Sequence, residues 1–169
     1  MARPTVNDIA KAAGVSLATV DRVLNARPGV TEKTVHRVNA RDYSPEQIAV
    51  WAPAAPDMAL WSQRIQAMNA TVCVSGETII GYAGLLESGY VDHFYVHHQW
   101  QGRGIGTELF KALLAEAREK GVQELSSDVS ITAKPFFQSL GFHVVQQQEV
   151  VRNRVALTNF KMAKRLSVG

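Results

Sequence analysis

The sequence has a single cysteine, Cys73, so no disulfide can close within the chain and a reducing compartment is its natural setting. It has no apolar run near the ~20 residues that cross a bilayer, and its N-terminus lacks the apolar stretch of a signal peptide. Membrane insertion is therefore not expected, and a cytoplasmic location is. Internal repeats and low-complexity tracts are also absent. With 46% hydrophobic and 20% charged residues the chain has the composition of an ordinary packed protein, and 169 residues allow one α/β core with a small domain attached, not two large domains.

The charge is unevenly placed. Of 18 basic and 15 acidic residues, six and three fall within residues 1–40, so the remaining 12 and 12 balance and the whole excess of +3 sits in the first quarter. A small basic head facing a polyanion is one reading of that bias; an incidental surface feature is the other.

Helical spacing dominates the start. Thr5 can cap a helix whose apolar positions are Val6, Ile9, Ala10 and Ala13, with Gly14 as its stop. Ser16 can cap a second helix, striped by Val20, Val23 and Leu24, and Thr31 a third that runs into Ala40. Residues 42–68 read as one or two more helices, opened by Ser44-Pro45. The period then changes to that of strands at 70–75, 78–86 and 90–97, an antiparallel meander. A long amphipathic helix over 104–120 comes next, striped by Ile105, Leu109, Phe110, Leu113, Leu114 and Ala117. The order closes with a strand at 123–129, a short helix at 132–140 and strands at 143–151 and 155–161.

Gln101-Gly102-Arg103-Gly104-Ile105-Gly106-Thr107 lies between a strand and that long helix. A glycine-rich turn at a helix N-terminus offers convergent backbone N–H groups and the positive end of the helix dipole, which suits a pyrophosphate. Gly104 and Gly106 would let it approach closely.

Behind Val91-Asp92-His93-Phe94-Tyr95-Val96, the pattern Q-x-x-G-x-G resembles the acetyl-CoA motif of the GNAT acetyltransferases. Residues 130–142, ending Leu140-Gly141-Phe142, resemble the short helix and GF signature of that family, and residues 42–53 its second-helix entry, so the resemblance covers about 34–169. It implies an α/β (α+β) acyltransferase fold with a mixed, mostly antiparallel sheet splayed beside the third strand. Acetyl-CoA would lie there, with its pantetheine arm on Phe94, Tyr95 and Val96 and its phosphates on Gln101, Gly102, Arg103, Gly104, Ile105, Gly106 and Thr107. An amine acceptor, small molecule or protein, would attack the thioester, needing a base for its proton and an acid or donor for the thiolate. Asp92 is the first candidate base, with Tyr90 and Glu87 as alternatives. Phe137 stands where many family members carry a tyrosine that protonates coenzyme A, leaving Tyr90, Tyr95, Ser130 and Thr132 as available hydroxyls.

Other reactive residues read as structural. His93, His97 and His98 are adjacent or nearly so on a strand, with no clustered ligand set, so no metal is expected. Cys73 reads as a packed strand residue, and Trp51, Trp61 and Trp100 as core rather than acceptor pocket.

Residues 5–34 resemble the helix-turn-helix headpiece of the LacI-type repressors, a small all-α three-helix unit. The resemblance implies duplex DNA as a partner, with Leu17, Ala18 and Arg22 at base edges and Ser16, Thr19, Asn25, Thr31 and Thr34 at phosphates. The hinge helix and the large sugar-binding domain that follow in such repressors are not recognisable. Residues 1–40 are thus expected as the head and 34–169 as the acetyltransferase domain, sharing the helix at Thr31–Ala40. A GNAT domain normally opens with an edge strand, and nothing before residue 70 supplies one. The strand at 70–75 would then be a free edge, and homodimerisation through it follows as an expectation. Two functions remain in play: an N-acetyltransferase with a DNA-binding head, or a DNA-binding regulator whose acetyltransferase fold senses acetyl-CoA or dimerises.

Overall fold

A computed structural model of the chain describes residues 35–52, 68, 70–75 and 78–167. The first two expected helices, the DNA-contact candidates from Ser16 to Thr34, and Trp61 lie outside the described residues.

The strands expected from alternation form two three-stranded antiparallel sheets. The first has the order β1 (Thr71–Ser75), β2 (Thr78–Leu85), β3 (Val91–Val96). β2 is its centre and is buried from Ile80 to Leu85, as a strand covered on both faces must be. The second sheet has the order β4 (Glu124–Ser130), β6 (Val155–Arg165), β5 (His143–Arg152). β6 runs four residues past its expected end because Met162 to Arg165 pair with Glu124 to Ser127 of β4, a long-range ladder that local periodicity does not encode. β5 and β6 meet in a two-residue turn, with Asn153 at φ 48° and Arg154 at φ 67°, the backbone that lets a tight hairpin keep the right-handed twist of its strands. A bulge at Val145 interrupts β5, whose outer edge has no partner among the described residues.

The two sheets touch at one point. A parallel bridge joins Tyr90 to Ser126, and the Ser127 hydroxyl donates to the Val91 carbonyl at 2.8 Å. Past this junction β3 and β4 diverge, so the combined sheet is mixed and splayed beside its third strand.

α2 (Ile105–Glu119) covers one face of the first sheet with Leu109, Phe110, Leu113 and Ala117. These residues pack with Ala83, Leu85, Val91, Leu125 and Met162 into the main core. Removing each of the larger of these side chains from water is worth about 1.5–3 kcal/mol, and the core draws on both sheets. α3 (Lys134–Ser139) adds Phe136 and Phe137 to that core. It begins two residues later than expected, behind a turn in which the Ser130 hydroxyl accepts from the Ala133 N–H.

On the other side, residues 35–38 are helical and continue into a 3-10 turn at Asn39–Arg41, so the helix expected to reach Ala40 tightens in its last turn. α1 (Pro45–Trp51) then opens on a capping box: the Ser44 side chain accepts from the Gln47 N–H and the Gln47 side chain from that of Ser44. Val35, Tyr43 and Ile48 bury against Leu157 in a second, smaller core.

Candidate functional site

The divergence of β3 from β4 leaves a cleft of about 500 Å³. Phe94, Tyr95 and Val96 of β3 form one wall, and Ser127 to Ser130 of β4 the other. Backbone groups of two strands that should have paired therefore face a common slit, a place where an extended chain of amide groups can insert.

The glycine loop closes one end of this slit. Gln101, Gly102, Gly104, Ile105, Gly106 and Thr107 all line the cleft. Gly104 is the N-cap of α2 at φ 80°, and a Cβ there would meet nothing, so its glycine serves backbone conformation rather than space. Gly106 has a different reason: a Cβ would sit 2.7 Å from the Phe136 ring, so it is glycine to admit α3, not only a ligand. Helix geometry leaves the first N–H groups of α2 without intrahelical acceptors, aimed into the slit with the positive end of the dipole. Arg103 does not line the cleft; its guanidinium stacks over Trp100 at 4.9 Å.

The candidate bases separate. Asp92 lines the cleft, its side chain 6% exposed, with Oδ2 3.9 Å from Nε2 of the buried His93. His93 Nδ1 in turn lies 3.2 Å from the Tyr82 hydroxyl, so a buried polar chain backs the carboxylate. Tyr90 lies beside the cleft rather than in its wall. Burial, and after it the charge of Asp128, push its phenol above the usual tyrosine range, so it holds its proton at neutral pH. Glu87 is exposed in the turn before β3 and does not reach the cleft.

Phe137 lines the cleft and is buried edge-on against Phe94 and Phe142, at 5.6 and 5.1 Å between ring centres. Of the remaining hydroxyls, Thr132 donates to Asp42 Oδ2 at 2.7 Å, while Ser130 accepts from the Ala133 N–H at 3.0 Å and lines the cleft. That bond to Thr132 is the main reason the Asp42 carboxyl is held below the usual carboxylate range. Tyr95 stacks on Tyr82 and meets His93 edge-on.

Cys73 packs against the core as expected, its thiol pushed up by burial and then by Glu108. His97 accepts from the Gln99 N–H, a local structural role. The two described indoles behave otherwise than expected: Trp51 and Trp100 are half-buried and line the cleft, Trp51 held edge-on to Tyr43. Further wall residues escaped the sequence reading, among them Asn39, Arg41 and Asp128. Asp128 accepts from Gln148 at 3.2 Å. Nothing local marks these positions, because they meet the cleft only through long-range packing.

A family model for the acetyltransferase (GNAT) domain matches residues 39–164, about three quarters of the chain and all of the cleft lining but Val38. The chain belongs to the GNAT acetyltransferases. A second model, that of bacterial regulatory proteins of the lacI family, matches residues 5–41, ahead of and slightly overlapping the first. Over 130 residues the GNAT chain is 33% identical to the N-acetyltransferase YafP of Escherichia coli K12, covering 77% of this chain and 81% of that one. A GCN5-related N-acetyltransferase from Rhodopseudomonas palustris superposes with a TM-score of 0.80 at 32% identity, over 86% of this chain and 90% of its own. YncA of Salmonella typhimurium, solved with acetyl-CoA, shares the fold at TM-score 0.57 and 23% identity, over 73% and 86% of the two chains. Among the described residues no helix is long and apolar enough to cross a membrane.

Proposed function

We propose that the protein transfers the acetyl group of acetyl-CoA to an amine acceptor, in the cytoplasm, and that its N-terminal head holds duplex DNA. One observation carries the first part: the N-terminus of α2, with Gly104 at φ 80°, opens into the same slit that β3 and β4 leave unpaired. A diphosphate suits the helix end, and a pantetheine arm suits Phe94, Tyr95 and Val96. The amine nitrogen attacks the thioester carbon, its proton passes to Asp92 directly or through water, and the C–S bond breaks to release the thiolate. Phe137 has no proton to give that thiolate. Ser130, a wall hydroxyl that accepts from the Ala133 N–H and keeps its own proton to give, supplies one. Trp51, Asn39 and Arg41 face the acceptor. Arg103 meets a phosphate only by leaving Trp100.

The test is calorimetric titration of the pure protein with acetyl-CoA, with free coenzyme A as competitor, followed by coenzyme A release across a panel of amines. Heat, competition and release support the reading. If neither acetyl-CoA nor coenzyme A binds, it fails.

The head rests on the lacI-family match to residues 5–41 and on the excess positive charge there. In this reading the domains are 1–40 and 34–169, with Leu17, Ala18 and Arg22 at base edges and Ser16, Thr19, Asn25, Thr31 and Thr34 at phosphates. A lone head buries little surface, so pairing of two chains, through the β1 edge, would supply a second half-site. Phe137 favours a second reading, a regulator that binds acetyl-CoA without turning it over. Cofactor binding with no release from any amine would select it.

A further inference from the structure

The segment that ends the lacI-family match also spans the mouth of the cleft. Val38, Asn39 and Arg41 line the cleft, although the repressor match and not only the acetyltransferase match includes Asn39 to Arg41. The segment is pinned to both lips. On the lip that continues β3, Arg37 lies 3.1 Å from His98 Nε2, in the 3-10 turn His98–Trp100 that leads directly into the glycine loop. A guanidinium has no lone pair to offer, so His98 accepts at Nε2 and carries its proton on Nδ1. On the β4 lip, Asp42 accepts from Thr132, and the Tyr43 hydroxyl accepts from the Ile131 N–H at 2.9 Å while donating to the Thr158 carbonyl at 2.7 Å. Val35 is wholly buried, so the helical residues 35–38 cannot move without disturbing the small core.

We infer that this bridge links occupancy of the cleft to DNA binding, so that acetyl-CoA in the slit and duplex DNA on the preceding residues change each other's affinity, with Arg37 as the positioning residue that carries the coupling. The inference rests on both parts of the proposed function. An arm inserted between β3 and β4 sets the distance between the lips, and a segment tied to each lip feels that distance. The same segment continues the chain toward residues 5–34, which the repressor model matches. A ligand biases such a segment only through a difference in its affinity for two arrangements, and the resulting factor is the same read from either ligand.

The full-length protein is titrated into a fluorescein-labelled mixed-sequence duplex at low salt, with and without saturating acetyl-CoA, and acetyl-CoA is titrated calorimetrically with and without the duplex. Each ligand is expected to shift the other's affinity by about fivefold, by the same factor both ways. Arg37→Ala brings that ratio toward one; Arg37→Lys, which keeps a donor, retains most of it. Arg37 is also a cation, so absolute DNA affinity falls in Arg37→Ala, where charge is lost, and the ratio alone reads the linkage. Equal duplex affinity with and without acetyl-CoA, each ligand binding alone, overturns the inference, as does a ratio unchanged in Arg37→Ala. If acetyl-CoA binds and the duplex does not, the linkage falls with the DNA role while acetyl transfer stands; if acetyl-CoA does not bind, the cofactor reading has failed.

Discussion

A left-handed backbone at Gly104 is where one atom matters most. Alanine there adds no clash, since the space is open, but a Cβ at φ 80° costs about 1–2 kcal/mol. Gly104→Ala is therefore expected to weaken acetyl-CoA binding by about tenfold, read by calorimetry, as the N–H groups of α2 tilt from the slit. Asp92→Asn keeps the shape of the wall and removes the proton acceptor. It should lower kcat by about 10²-fold while the Kd for acetyl-CoA changes little, a split that a purely structural Asp92 would not give. The Asp42–Thr132 bond predicts a pH effect of definite sign. Because the folded carboxyl is held below its ordinary value, its stabilisation is present above about pH 4 and is lost as the pH falls through the lower folded value. Thr132→Val removes the largest cause, so the fall in Tm on acidification should be shallower in the variant. The Asp42 side chain keeps about 24% of its surface exposed, and the screening by solvent keeps the effect small.

Whole elements carry a different lesson about legibility. β1 to β5 and α2 fall within a residue or two of their expected ends, because alternation in 71–85 and the stripe Leu109, Phe110, Leu113, Ala117 are local signals. The glycine loop was legible for the same reason: spacing and placement before a helix are local. Asn39, Arg41 and Trp51 were not, since the segment that carries them is held by partners far along the chain, as Tyr43 is by Ile131 and Thr158, 88 and 115 residues away, and Asp128 is placed by the pairing of β4 with β6. The extra turn of β6 was hidden likewise. The hairpin between β5 and β6 offers an element-scale test. Its turn demands φ above zero at both central residues, and Arg154 meets that demand at a cost glycine would avoid. Arg154→Gly should raise stability by about 1 kcal/mol, a Tm gain of a few degrees, without altering acetyl-CoA affinity.

Seen whole, the sequence has its excess charge in residues 1–40, and apart from Val38 and Asn39 the cleft is lined by residues that follow them. If several phosphates are met by the head, duplex affinity should fall steeply and linearly in log–log form with added salt, and Arg22→Ala should lower it further. Acetyl-CoA affinity at a helix end should respond far less steeply. The slit itself has one more consequence. If acetyl-CoA satisfies the facing edges of the two half-sheets as proposed, the fold is completed from outside, and the free energy of unfolding grows with the ligand's concentration, by about 2.7 kcal/mol at a hundredfold excess over Kd. Free coenzyme A would fill the same slit, so a cell depleted of coenzyme A in both its free and acetylated forms would hold a protein that exchanges its β3 amides faster and is cut sooner by proteases.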